Sequence, residues 1–291
     1  MASTQQMAPN QQMASPGLIG SIGPLDFSRP MIMGVVNVTP DSFFDEGAFL
    51  DPTAAVAHGR QLVVEGADIL DIGGESTRPG ADPVTPAEEL DRVLPVIEGL
   101  VGVGVPVSID TRNANVMRAA LAAGAEIIND VTALTHDPDS MQVAASTEGP
   151  IILMHAQGKP KDMQDAPQYD DVVAEVLAYF EGRIQACKDA GIDPQRVILD
   201  PGIGFGKALD HNLALLAGLE ALHALGRPLL LGVSRKSFID HITPVPNAGD
   251  RLPGSIAAAL AGIDQGVHIL RVHDVAQTRQ ALDVWQAIHD S

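Results

Sequence analysis

Arg196-Val197-Ile198-Leu199-Asp200-Pro201-Gly202-Ile203-Gly204-Phe205-Gly206-Lys207 is the stretch whose reading decides the fold. The apolar, β-branched run Val197-Ile198-Leu199 has the composition of a strand buried on both faces, as in a parallel sheet. It stops at Asp200, and the proline and alternating glycines that follow end the strand in a loop with little side-chain bulk. A carboxylate therefore stands at the C-terminal tip of a buried strand. Phe205, held between glycines, offers a ring against which a flat ligand fits. Taken alone, the same residues read equally well as a helix cap followed by a turn, and the rest of the chain separates the two readings.

Outward from this stretch the chain repeats one unit: a short apolar run, a polar or glycine-rich turn, then an Ala/Leu-rich helical segment. Strand candidates are 31–37, 68–72, 105–110, 126–130, 150–155, 196–200, 228–233 and 267–272. Helical candidates are 52–65, 86–100, 113–123, 139–146, 172–190, 212–224, 252–264 and 275–289. Asp51-Pro52 and Thr85-Pro86 are helix starts, with proline suited to the first helical position. Eight alternating β and α units with doubly buried strands predict a single (β/α)8 TIM barrel of parallel strands over 25–291. An open doubly wound sheet is the alternative, because sequence does not show closure.

Composition narrows the function. A chain of 291 residues with 45% hydrophobic content buries a large core, and its formal charge of -19 repels nucleic acid and anionic membranes. Any anion must be bound by individually placed residues such as Arg78, Lys236 and Arg271. Residues 1–24 lack positive charge and a continuous apolar core, which excludes a secretory signal, and read as a disordered extension. Without a run of about 18 apolar residues no membrane span is expected. The lone Cys187 has no partner for an intrachain disulfide and suits a reducing compartment, so the chain is placed in the cytoplasm.

Barrel enzymes work at the C-terminal ends of their strands. The predicted strands end on Asn37, Asp71, Asp110, Asn129-Asp130, His155, Asp200, Ser234-Arg235-Lys236 and Arg271-Val272-His273-Asp274. Any one could be a helix cap, but a polar group at the end of every apolar strand argues for a common rim. Side chains alternate along a strand, so Arg271 and His273 share a face, as do Ser108 with Asp110 and Ile127 with Asn129. Asp110, Asn129 and Asp200 would face a donor-rich planar heterocycle, with Lys236 and Arg271 on acceptor atoms or anionic oxygens. A pterin fits that pattern, whereas an apolar ligand would strand buried carboxylates at a cost of several kcal/mol.

The motifs then resemble one family. Asn37-Val38-Thr39-Pro40-Asp41-Ser42-Phe43, Gly73-Gly74-Glu75-Ser76-Thr77-Arg78-Pro79-Gly80 and Ser108-Ile109-Asp110-Thr111 are similar to signatures of the dihydropteroate synthases. So are Asn129-Asp130-Val131, the stretch from Asp200 to Lys207, Ser234-Arg235-Lys236-Ser237 and Arg271-Val272-His273-Asp274. The resemblance runs over roughly 25–290 and implies a transferase that joins 6-hydroxymethyl-7,8-dihydropterin diphosphate to 4-aminobenzoate. It implies pterin contacts from Asp110, Asn129, Met154, Asp200, Phe205, Gly232, Lys236 and Arg271. Diphosphate contacts would come from Asn37, Thr77, Arg78, Arg271 and His273, with Asn37 also a ligand of Mg²⁺. 4-Aminobenzoate would meet Thr77, Pro79, Phe205, Lys236 and Ser237. Asp110, Asp200, Lys236, Arg271 and His273 would carry the chemistry, in a homodimer. Ser237 is expected to open a helical segment whose exposed N–H groups could receive the carboxylate of 4-aminobenzoate, with a plain N-cap as the other, compatible reading.

Other chemistries lack their signatures. The glycines at 202–206 make neither a Walker loop nor a G-x-G-x-x-G turn, and the nine histidines form no HExxH. A folate-dependent methyltransferase and a non-catalytic pterin-binding protein remain as alternatives on the same barrel, but neither requires the set Asn37, Arg78, Lys236, Arg271 and His273. Two loops depart from the family pattern: Phe44-Asp45-Glu46-Gly47 stands where Ser-Asp-Gly-Gly is usual, and Ala156 and Lys159 replace Met and Thr after His155. The first makes a bulkier loop and bears on how a sulfonamide would be told from 4-aminobenzoate.

Overall fold

A computed structural model of the chain describes residues 20–39, 51–76, 83–158 and 163–291. Eight strands alternate with helices: β1 (Met31–Asn37), α1 (Pro52–Val64), β2 (Ile69–Gly73), α2 (Pro86–Leu100), β3 (Val107–Asp110), α3 (Ala114–Ala122), β4 (Ile127–Asp130) and α4 (Ser140–Ala145). The second half adds β5 (Ile151–Met154), α5 (Val172–Asp189), β6 (Val197–Asp200), α6 (Leu209–Ala217), β7 (Leu230–Leu231), α7 (Ser237–Ile242), α8 (Leu252–Asp264), β8 (Ile269–Val272) and α9 (Val275–His289). All pairings are parallel, in the order β6-β5-β4-β3-β2-β1-β8-β7. A parallel bridge between Leu199 and Leu229, with Leu199 N donating to Pro228 O at 2.9 Å, joins β6 to β7 and closes the ring. Closure excludes the open doubly wound sheet.

The helices begin where the chemistry of their first residues says they should. Thr85 and Glu88 form a reciprocal capping box ahead of Pro86, and Asp51 accepts from Thr53 N at 2.9 Å ahead of Pro52. α7 is a helix beyond the eight candidates, and two of the expected elements differ in form. The helix expected over 212–224 is α6 followed by a 3-10 segment, Leu219–Leu225. The break falls at Gly218, where a Cβ would lie 2.9 Å from the Val173 side chain. The seventh strand is only two residues long, because Leu229 N donates to His268 Nδ1 and the chain turns at Val233 into the loop before α7.

Strand alternation divides the apolar residues into two cores. Val36, Leu70, Ile72, Ile109, Ile128, Leu153, Leu199, Leu231 and Leu270 point outward into the layer shared with the helices. Met31, Met33, Ile69, Ile127, Ile152, Ile198, Leu230 and Ile269 point inward and fill the barrel, with Leu25 and Phe27 packed against them. Each fully buried side chain of this kind contributes about 1.5–3 kcal/mol. Two residues beyond the inward plug, in the same phase, come Asp71, Asn129, Met154, Asp200, Gly232 and Arg271. Polar groups thus stand on an apolar floor. Among the described residues no helix is long and apolar enough to cross a membrane.

Candidate active site

Register sets the polar layer. Asn37 lies beside Gly73, Gly73 beside Asp110, and Asp110 beside Asn129, while Met154 lies beside Asp200 and Met33 beside Arg271. Arg271 reaches across from β8: Nε donates to Asp71 Oδ2 at 2.7 Å and Nη2 to Asp110 Oδ2 at 2.8 Å. Asn129 Nδ2 donates to the same oxygen of Asp71 at 3.1 Å. Burial works against charge on Arg271, but Asp71 and Asp110 outweigh it and hold the guanidinium above its ordinary value. Burial pushes the Asp110 carboxyl up, opposed by Arg271.

Across the mouth, Asp200 Oδ1 accepts from Gly202 N at 2.8 Å. Burial raises this carboxyl, opposed first by Lys236 and then by the Gly202 N–H, Arg271 and Lys207. Lys236 enters from the loop after β7; its Nζ donates to Ile203 O and lies 4.8 Å from the centre of the Phe205 ring. A Cβ at position 232 would sit 3.6 Å from that Nζ, so Gly232 leaves the ammonium its room. Burial draws Lys236 down to about 8, with Asp200 holding it up. The layer is therefore a ring of acceptors, Asp110, Asn129 and Asp200, set against two cations, with an aromatic face beside one of them.

The matches with known proteins point the same way. Residues 33–273 match the model of the pterin binding enzyme family. A dihydropteroate synthase of Neisseria meningitidis serogroup B is 53% identical over 269 residues, 91% of this chain and 94% of that protein. The chain belongs to the dihydropteroate synthases. A solved dihydropteroate synthase of Xanthomonas albilineans with 4-aminobenzoic acid superposes with a TM-score of 0.86 at 52% identity, over 92% of this chain and 96% of that one. The same enzyme in complex with 7,8-dihydropteroate gives 0.83 at 49% identity, over the same shares of the two chains.

Set against the family's motifs, the barrel brings Asn37, Asp110, Asn129, Met154, Asp200, Gly232 and Arg271 to one inward-facing layer, with Phe205 and Lys236 leaning over it from loops. His273 stands just beyond β8, with Nδ1 3.0 Å from Ser234 Oγ and its backbone N donating to the same oxygen. Thr77, Arg78 and Pro79, and the loop at Phe44-Asp45-Glu46, lie outside the described residues. Glu75 and Val84, which flank the former, are joined by a 3.3 Å hydrogen bond, and Arg112 grips the Glu75 carboxylate at 2.9 and 2.7 Å.

Ser237 opens a helix, as expected, but the plain N-cap reading does not hold. Lys236 occupies that position (φ −69°, ψ 153°) because Arg235, at φ 61°, turns the chain one residue earlier, and Ser237 is the exposed first residue of α7. Arg235 itself is bound through its fork to Asp274 at 2.9 and 2.5 Å, which ties the loop after β7 to the end of β8. The sequence places Asp71 at the rim without naming what it meets, although it shares the inward phase of Ile69 and Gly73. That phase was the available signal, and Arg271 is its explanation. Asp130, in contrast, faces outward and accepts from Thr132 N and Leu134 N, so it closes a turn.

Proposed function

We propose that this mouth binds a pterin by its hydrogen-bonding edge and holds its diphosphate substituent for displacement by the amine of 4-aminobenzoate. The observation that carries the reading is the set of buried groups Asp71, Asn129 and Asp200, with the part-buried Asp110, arrayed against Arg271 and Lys236; Asp71 Oδ1 has no hydrogen-bond partner among the described residues. Asp110, Asn129, Asp200 and Lys236 take the pterin, with Met154 and Gly232 beside it. Arg271 keeps Nη1 for the diphosphate after Asp71 and Asp110 have taken Nε and Nη2. His273, Arg78 and Thr77 complete the anion side, and Phe205, Lys236, Ser237, Thr77 and Pro79 frame 4-aminobenzoate.

In the reaction the bond from the pterin methylene carbon to the diphosphate oxygen breaks, a carbon–nitrogen bond forms, and the amine loses a proton. Positive charge spreading into the pterin as the diphosphate leaves is stabilised by Asp200, and negative charge on the leaving group by Arg271. Magnesium fits the residues present. Asn37 Oδ1 and Asp110 Oδ2 lie 3.8 and 3.7 Å from the place a Cβ would occupy on Gly73, so two oxygens flank space left by a glycine. Mg²⁺ accepts oxygen ligands and relies on waters and substrate phosphates for the rest. When bound it would neutralise diphosphate charge, with Asn37 as its protein contact.

Calorimetry with 6-hydroxymethylpterin, which lacks a leaving group, tests the reading without chemistry. One site per chain is expected, lost on Asn129→Ala, since the amide is fixed by Asp71 and its other atom faces the ligand. Wild-type affinity in Asn129→Ala would contradict it.

The pH dependence follows from the two shifts. Asp200 must be ionised and is raised, so activity falls as pH drops through a value above the ordinary carboxylate range. Lys236 must be charged and is lowered, so activity falls again as pH rises through about 8. A bell-shaped kcat/KM for the pterin diphosphate is expected; a profile flat between pH of about 7 and about 10 would remove Lys236 from the binding set.

A further inference from the structure

The loop from Asp200 to Lys207 is organised around a buried ammonium that the chemistry above does not use. Lys207 is 2% exposed. Its Nζ lies 2.9 Å from Gly202 O, 3.1 Å from Phe205 O, 3.3 Å from His155 O and 2.9 Å from His155 Nδ1. Burial pushes the His155 imidazole down to about 3, with the neighbouring Lys207 adding to the shift, so the ring is neutral. Its Nδ1 then accepts, with the ring proton on Nε2. Every group around Nζ is an acceptor, which requires the ammonium form even though burial draws Lys207 down to about 7.

Those four acceptors come from two loops. A Cβ on Gly202 would lie 1.9 Å from His155 O, and one on Gly206 2.1 Å from Gln157 O, so the loops after β5 and β6 touch backbone to backbone. Lys207 binds both of them. The carbonyls it holds on Gly202 and Phe205 bracket Ile203, whose own carbonyl accepts from Lys236. The N–H of Gly202 orients Asp200, and the Phe205 ring lies against Lys236. Asn212 secures the far side, accepting from Gly204 N at 2.7 Å and donating to Lys207 O at 3.0 Å.

We propose that Lys207 is a positioning residue for the transferase reaction: by gathering the carbonyls of His155, Gly202 and Phe205 onto one ammonium, it fixes the loop that aims Asp200 and Lys236 at the pterin. The proposal rests on the assignment of Asp200 and Lys236 to substrate. It differs from a role in folding alone, because Lys207 also faces Asp200 as one of three cations, with Lys236 and Arg271, that favour its ionised form against burial. Removing one of the three should raise Asp200 further.

Lys207→Met tests this in the full chain, with diphosphate release measured across about pH 5 to 9 beside a melting curve. Expected are a loss of about tenfold or more in kcat/KM for the pterin diphosphate, and an acid limb displaced upward by about half a unit or more. A lower Tm with wild-type kinetic constants and an unmoved limb would overturn the proposal and leave Lys207 a staple. Should Lys207→Met not fold, His155→Phe decides. It keeps an aromatic edge against Tyr179, now 4.8 Å away and perpendicular, but drops the Nδ1 acceptor. A smaller displacement of the same sign supports the proposal, and wild-type kinetics in His155→Phe overturn it. A wild-type chain inactive on both substrates would instead refute the site assignment itself, and this proposal with it.

Discussion

Arg271→Met is expected to remove turnover and to destabilise the fold at once. The guanidinium is the counter-charge of two carboxylates, one of them, Asp71, with no exposure at all. Breaking a buried pair by deleting one partner costs about 3–5 kcal/mol, because the remaining charge is left without compensation. The variant can relieve part of this by protonating Asp110, whose carboxyl burial already raises. A group with a folded pKa above its unfolded value loses stability as pH rises toward the folded value, so the deficit against wild type should be larger at pH of about 8 than at about 6. Urea denaturation at the two pH values measures it, and an equal deficit at both would mean that the carboxylates are not what Arg271 holds. Arg271→Lys separates charge from geometry: a single ammonium cannot span Asp71 and Asp110 as the planar fork does. Binding of the diphosphate-bearing pterin should weaken more than binding of a pterin without diphosphate, and equal losses by calorimetry would take Arg271 off the anion.

Asp200→Asn is expected to leave the fold intact and to lower turnover by about 10²–10³, the equivalent of about 2–4 kcal/mol of transition-state stabilisation. The substitution keeps size and an oxygen that can still accept from Gly202 N. What disappears is the negative charge beside Lys236 and beside the pterin as it gains cationic character. Near-normal turnover in a purified, folded variant would make Asp200 a loop cap.

Much of this could be read from the chain because the barrel writes itself in periods. Strand ends, the alternation that selects Asp110, Asn129, Asp200 and Arg271, and the capped helix starts at Asp51-Pro52 and Thr85-Pro86 all depend on neighbours within a few positions. The residues that escaped depend on distant ones. Asp71 becomes meaningful only beside Arg271, 200 positions away. Lys207, at the end of a glycine-rich motif, turns its ammonium into the protein to meet His155. Alternation says which residues point inward but not which of eight strands each will meet across the mouth. Ser237 opens α7 rather than capping it because of a single left-handed residue, Arg235, a backbone state without a strong composition signal at a non-glycine position. The seventh strand shrank because its neighbours at the closing seam, Leu199 and His268, are themselves set by closure.

The central claim, that the mouth of this barrel joins a pterin diphosphate to an aryl amine, is tested most directly by continuous measurement of diphosphate release. Release should require the pterin diphosphate, 4-aminobenzoate and Mg²⁺ together, and should match dihydropteroate formed one for one. Diphosphate release that proceeds at the same rate without 4-aminobenzoate, or no release with all three present, would contradict it.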